Sequence, residues 1–215
     1  MKRSVLLASL LASLVATPAL SGSVPFDGNW KEQRFSLFSK NNYGLNGNRL
    51  DVGSNGSVSM VYTQLNEADW NATSAKWSWS VAQGVPATDL SKKGGDDRNL
   101  SIYAVFLPEA EAQALKGAGI RKLLSAESAR VLVYVWGGAH KRGAFLDSPY
   151  LGPRGKTIIL RGSETGQHSE QVDLAGDYAR AFGGSAGSLV GLAVSADSDD
   201  TDSSIQGVIS GLSLN

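Results

Sequence analysis

The stretch KWSWSV, residues 76–81, decides the fold class. Trp77, Trp79 and Val81 fall on one side of an extended chain, and Ser78 and Ser80 on the other. Successive strand side chains point to opposite faces, so this period of two describes a strand with one apolar and one polar face. The spacing recurs outward. Residues 57–65, SVSMVYTQL, put Val58, Met60 and Tyr62 on one face, and 30–38, WKEQRFSLF, alternate more loosely. Residues 100–107 (LSIYAVFL) and 130–136 (RVLVYVW) are apolar on both faces, which predicts central or doubly covered strands. Segments 156–161, 189–196 and 204–214 complete the predicted strands, with Gly, Asn, Asp and Ser supplying the turns between them.

Helical signals are few. Residues 108–117, PEAEAQALKG, open on Pro and close on Gly. In 173–184, Asp173 is placed to cap a helix whose Ala175, Tyr178, Ala179 and Phe182 share one face, with Gly183 to end it. Many strands with Gly-rich turns and one or two short peripheral helices predict an all-β sandwich or barrel. The 215 residues suffice for one well-cored domain, expected over residues 24–215.

The first 21 residues read as a secretory signal: Lys2 and Arg3, an apolar run from Val5 to Val15, and a small-x-small site at Ala19-Leu20-Ser21. That predicts a bacterial periplasmic or secreted protein with no stable membrane insertion once the signal is cut. Without the signal, 18 basic residues stand against 20 acidic, a balance that argues against a nucleic-acid partner. There is no cysteine, so disulfides contribute nothing to stability.

Three elements carry possible chemistry. The loop SADSDDTDSS, residues 195–204, places Asp197, Asp199, Asp200 and Asp202 within six positions. It opens like an EF-hand loop but lacks the glycine at the sixth position, and Val208 stands where the closing Glu belongs. Irregular oxygen-rich loops also bind Ca²⁺, so Asp197, Asp199 and Asp200 are candidate metal ligands. The second element, GGDDR at 94–98, offers Asp96, Asp97 and Arg98. The third is aromatic: Trp79, Tyr103 and Trp136 are candidate stacking platforms for a sugar ring, with the core as the alternative place for the indoles.

Other motifs fail on context. Gly183-Gly184-Ser185-Ala186-Gly187 matches G-x-S-x-G but follows a helix, and both histidines, His140 and His168, precede it. Two isolated histidines without cysteine make no zinc site.

The ordered motifs KWSWSV, GGDDRNLSIYAVFL, VLVYVWGG, DLAGDYARAFG and GLAVSADSDDT together resemble the bacterial family called domain of unknown function 3047. The resemblance runs from about Phe26 to Asn215 and implies an exported jelly-roll sandwich similar to galactose-binding-like and carbohydrate-binding modules. It marks Gly95, Asp96, Asp97, Asp197, Asp199 and Thr201 as recurring polar positions, and Trp79 and Trp136 as aromatic ones. This chain departs in carrying Asp200 where Asn is common, in the stretch GGAHKRGAFLDSPYLG after the Tyr-Val-Trp strand, and in an insert from Pro108 to Arg130. The expectation is a binding module for a polar, carbohydrate-like ligand, with Ca²⁺ as a possible cofactor. Two alternatives stand beside it. One is a hydrolase acting on an envelope glycan through Asp97 and Asp199, which needs carboxyls about 5–9 Å apart. The other is a structural or assembly protein of the envelope. Protein partners are unknown at this stage.

Overall fold

The computed structural model describes residues 22–215; the expected signal lies outside the described residues. Strands β1 (Gly22–Ser23), β2 (Lys31–Arg34), β3 (Asn42–Asn46), β4 (Arg49–Asn55) and β5 (Val58–Gln64) come first. A 3-10 turn at Glu67–Asp69 leads to β6 (Ser74–Gln83) and β7 (Arg98–Leu107). Helices α1 (Glu109–Ala114) and α2 (Ile120–Ser125) precede β8 (Arg130–Trp136), β9 (Phe145–Ser148), β10 (Gly152–Arg161) and β11 (Gly166–Asp173). Helix α3 (Leu174–Phe182), β12 (Ser188–Asp197) and β13 (Ser204–Leu214) follow.

These strands build a jelly-roll β-sandwich. The smaller sheet runs β11-β6-β13-β4-β3, with β1 added against β13. The larger runs β2-β5-β12-β7-β8-β10-β9 and is antiparallel except where β10 lies parallel to β8. Between the sheets, the inward period-two faces interlock. Trp77 and Trp79 of β6 meet edge to face at 5.4 Å, Trp79 meets Trp136 of β8 at 5.5 Å, and Trp77 lies 5.8 Å from Tyr134. Such ring pairs add about 0.5–1.5 kcal/mol each beyond the area they bury.

The larger sheet is apolar on its outer face too. Val105 and Leu107 of β7 and Val131, Val133 and Val135 of β8 belong to a second buried cluster, which Ala112, Ile120 and Leu123 of the 108–130 insert cover. This explains why β7 and β8 read as apolar on both faces: each separates two cores. The insert forms two helices rather than one, because Gly117 at φ +80° and Gly119 interrupt it. The third helix starts where the sequence places it, with the Asp173 side chain accepting from the Gly176 amide at 2.9 Å.

Four strands, β3, β4, β9 and β11, lie outside the expected set: β3 and β4 alternate, but with only two apolar residues each (Tyr43 and Leu45, Leu50 and Val52), and β9 and β11 scarcely alternate in apolar residues. The loose 30–38 pattern yields only the short β2, and Phe35 to Phe38 leave the sheet as an exposed loop.

Candidate functional site, a charged cleft on the outer face of the larger sheet

Where the insert stops covering the outer face, a cleft of about 540 Å³ opens. Its polar end is built from the junction of β7 and β12. Arg98 and Asp197 are cross-strand partners at that junction, next to a register shift between Ser195 and Asp197. From there the guanidinium is held on every side. Nη1 donates to the Asp96 carbonyl (2.8 Å), the Asp96 carboxylate (3.0 Å) and the Asp197 carboxylate (3.1 Å). Nη2 donates to the Tyr103 hydroxyl at 2.8 Å and Nε to Ser101 Oγ at 3.3 Å. Tyr103, Ser101 and Ser195 all project outward from the sheet and bond among themselves. The loop after β8 can approach because Gly137, at φ +150°, has no side chain: a Cβ there would come within 2.8 Å of Arg98 Cβ.

The two acidic segments of the sequence meet here. Asp97, fully buried, accepts from the Asp200 amide (3.3 Å) and from the Thr201 amide and hydroxyl (2.8 and 2.5 Å). It therefore pins the 198–202 loop to the 94–98 turn. Ser198 secures the other side of that loop through Ser54 Oγ at 2.7 Å and the Ser57 amide at 3.2 Å.

The charge balance at this end is uneven. One guanidinium faces two carboxylates, and Asp199 and Asp200 lie beside them. Burial, though Arg98 works against it, pushes the Asp197 carboxyl up to about 8, with Asp199 and Asp96 adding to the rise. Its Oδ1 has no hydrogen-bond donor, although its side chain is only 9% exposed. Burial also lowers the proton affinity of Arg98, but Tyr103, Asp197 and Asp96 outweigh it and the guanidinium is held more firmly charged than usual. Asp200 is raised by partial burial and by the neighbouring Asp97, Asp199 and Asp96 carboxylates. Oxygens of Asp97, Asp199 and Asp200 lie within 4.8 Å of one another, a spacing that a cation could bridge.

The predicted residues divide. Asp96, Arg98, Tyr103, Asp197, Asp199 and Asp200 line the cleft. Trp79 and Trp136 do not: they are 1% and 0% exposed and lie between the sheets, where no ligand ring can stack on them. Their N–H groups are bound inside, Trp79 to Glu170 at 3.1 Å and Trp136 to the Glu164 carbonyl at 2.7 Å. Of the expected metal ligands, Asp197 is engaged by Arg98, and Asp97 is the acid that closes up on Asp199 and Asp200. Asp97 is also fully buried beneath the 198–202 loop, out of reach of a glycosidic bond, so the expected hydrolytic pair with Asp199 does not face a substrate there.

Two rings absent from the sequence expectation stand at the cleft instead, Phe35 and Tyr150. The Tyr150 hydroxyl donates to Asp96 at 3.0 Å while the residue as a whole stays 62% exposed. Burial and the Asp96 charge push that phenol up to about 12. Of the motifs set aside, the Gly183–Gly187 stretch is a loop between α3 and β12, His140 pairs with Asp89 at 3.1 Å, and His168 packs against Trp136 at 5.0 Å. Two further hollows, of about 430 and 580 Å³, contain no buried charged side chain.

Fold and site thus define a jelly-roll sandwich with a recessed, charge-lined cleft on one outer face. The chain belongs to the family described as protein of unknown function (DUF3047), whose model matches residues 28–212. No protein of curated function matches it in sequence. Among solved structures it is similar to the xyloglucanase domain of NopAA, a type three effector from Sinorhizobium fredii in complex with cellobiose. Identity is 10%, coverage 92% of this chain and 96% of that one, and the TM-score 0.46. It is also similar to a cleaved adhesin domain of Lys-gingipain from Porphyromonas gingivalis, at 11% identity, 91% and 97% coverage and a TM-score of 0.37. At these identities the likeness is one of backbone arrangement.

Proposed function

We propose that this chain is an exported binding module that seats a hydroxylated, carbohydrate-like ligand in the Arg98 cleft without transforming it. The observation that supports this most is the polar end of the cleft: Asp96, Arg98 and Asp197 fixed in a recess, with the half-open Tyr150 ring at its mouth. Sugar recognition needs planar polar partners in fixed positions beside an apolar ring face, and both are present within one site. A divalent cation, Ca²⁺ in the first instance, belongs to the same reading. It would sit among Asp97, Asp199 and Asp200, where burial and the neighbouring carboxylates otherwise raise the proton affinity of Asp200.

Calorimetric titration with a panel of neutral oligosaccharides tests the ligand, with Tyr150→Ala as the control expected to abolish the heat. Silence across the panel would remove the saccharide reading. Thermal melting with Ca²⁺ and with a chelator tests the cation; identical melting temperatures would remove that part alone.

A hydrolase is the second reading, and one observation favours it: Asp197 holds its proton to about 8 beside a second carboxyl, as a general acid must near neutrality. Release of reducing ends from a bound oligosaccharide, lost in Asp197→Asn, would establish it in place of simple binding.

A further inference from the structure

The described residues leave four large apolar side chains exposed: Phe35, Leu37, Phe38 and Tyr150. Two of them, Phe35 and Tyr150, line the Arg98 cleft, and Leu37 and Phe38 follow Phe35 by two and three positions. Phe38 is 98% exposed. Exposed apolar side chains gathered at one place mark a contact with something apolar. The cleft repeats the message inside. Away from its charged end, its walls are Val58, Met60, Leu90, Val133 and Leu151. Met60, Leu90 and Val133 form a buried floor that belongs to the outer-face core, while half-buried Val58 and Leu151 carry the open apolar surface. A free monosaccharide would leave such walls wet.

The charged end restricts the other part of the ligand. All but one of the Arg98 N–H groups are taken up by Asp96, Asp197, Tyr103 and Ser101, a single Nη2 hydrogen being left, and the side chain is only 12% exposed, so the guanidinium has little to offer an anion. The groups facing it are carboxyl groups, Asp96 and Asp197, with Asp199 and Asp200 bringing further acidic oxygens to the same end. Carboxylates accept hydrogen bonds and repel phosphate, sulfate or carboxylate.

We propose that the ligand of this cleft is a neutral amphiphile of the glycolipid kind. Its hydroxylated head meets Asp96, Asp197 and the Tyr150 hydroxyl, and its hydrocarbon chain runs along Val58 and Leu151, over the floor of Met60, Leu90 and Val133, toward the Phe35–Phe38 loop. The inference rests on the saccharide-binding reading and adds the apolar half of the ligand. Burial of each methylene along the walls strengthens binding severalfold, so a short alkyl chain suffices to reveal it.

The test is calorimetric titration of the full chain with three probes: decyl maltoside below its micellar concentration, maltose, and sodium decanoate. Decyl maltoside is expected to bind at least about tenfold more tightly than maltose, and more tightly than decanoate. In Phe35→Ser, whose side chain is exposed and whose fold should be unaffected, the advantage over maltose is expected to shrink. Equal affinity for decyl maltoside and maltose would overturn the amphiphile while leaving the saccharide reading in place. Decanoate binding as tightly as the maltoside would overturn the neutral head and, with it, the saccharide reading. An undiminished maltoside advantage in Phe35→Ser, with its thermal melt unchanged, would place the chain outside this cleft and overturn the proposal. Binding of none of the three would remove both readings together.

Discussion

Two buried ionic clusters use the same ingredients to different ends. Between the sheets, Glu170 of β11 accepts from Arg161 at 2.7 Å and from the Trp79 indole at 3.1 Å, with Arg142 approaching at 3.8 Å. On the outer face, Arg98 is shared by Asp96 and Asp197. In the first, one acid has an excess of donors: Oε1 takes both hydrogen bonds and Oε2 faces the Arg142 guanidinium. In the second, one base has an excess of acids, and Asp197 Oδ1 is left without a donor. Closed charge networks are tolerated because each member is paired; an unpaired member costs stability and persists where something else compensates. The first cluster holds the sheets together. The second leaves Asp197 Oδ1 unpaired at the cleft, where the proposed ligand would donate to it.

That contrast can be broken by substitution. The largest effect is expected from Glu170→Ala, which strands Arg161 and the Trp79 N–H in the interior. It should cost roughly 3–5 kcal/mol, lowering the melting temperature by on the order of 10 °C in a thermal scan followed by circular dichroism. Asp197→Asn should move the other way. An amide there still accepts from Arg98 and, unlike a carboxyl raised to about 8, takes up no proton on folding at pH 7, so the melting temperature at that pH should rise by about 2–4 °C while decyl maltoside affinity falls. Parallel losses of stability in the two variants would mean that both clusters are merely structural.

The smallest effect sharpens the baseline. Asp177 of α3 lies away from both clusters and accepts from the Tyr134 hydroxyl at 3.0 Å. Burial, with help from Asp173, raises its carboxyl above the ordinary 3.8, against the pull of Tyr134 and Arg180. A carboxyl raised by folding favours the native state fully below its unfolded pKa, and that contribution fades as pH climbs through the folded one. Asp177→Asn lacks this dependence. Its melting temperature relative to wild type should therefore improve between pH 4 and pH 7, by about 1–2 °C.

How much of this could be read from the chain depends on which side chains face inward. The alternating Trp77, Trp79 and Val81 announce β6, and the doubly apolar β7 and β8 announce the middle of the larger sheet. Strand β11 is silent because its inward positions are His168, Glu170 and Val172, two of them polar, and a polar inward face erases the alternation. The indoles mislead about the site for a related reason. Period two places Trp79 and Trp136 on a face, but only the pairing of the sheets decides whether that face is covered. The meeting of Asp96 and Asp97 with the 197–201 loop was legible as two acidic turns at strand ends. The exchange of roles between Asp97 and Asp197 was not, since it follows from the shift in register between β7 and β12. Tyr150 and Phe35 sit in loops without periodicity, and nothing local marks them as neighbours of Arg98.

Strand β13 pairs with β1, β4 and β6 and so occupies the middle of the smaller sheet. A chain emerging from its amino end, whether from a ribosome or through a translocation pore, would have to keep the other strands of that sheet waiting. Until residues 204–214 are delivered, β4 and β6 have no strand between them, and their hydrogen-bonding edges stay open to any passing partner. Slow passage through that interval would expose the molecule to misassociation, and a holding chaperone would be most useful there.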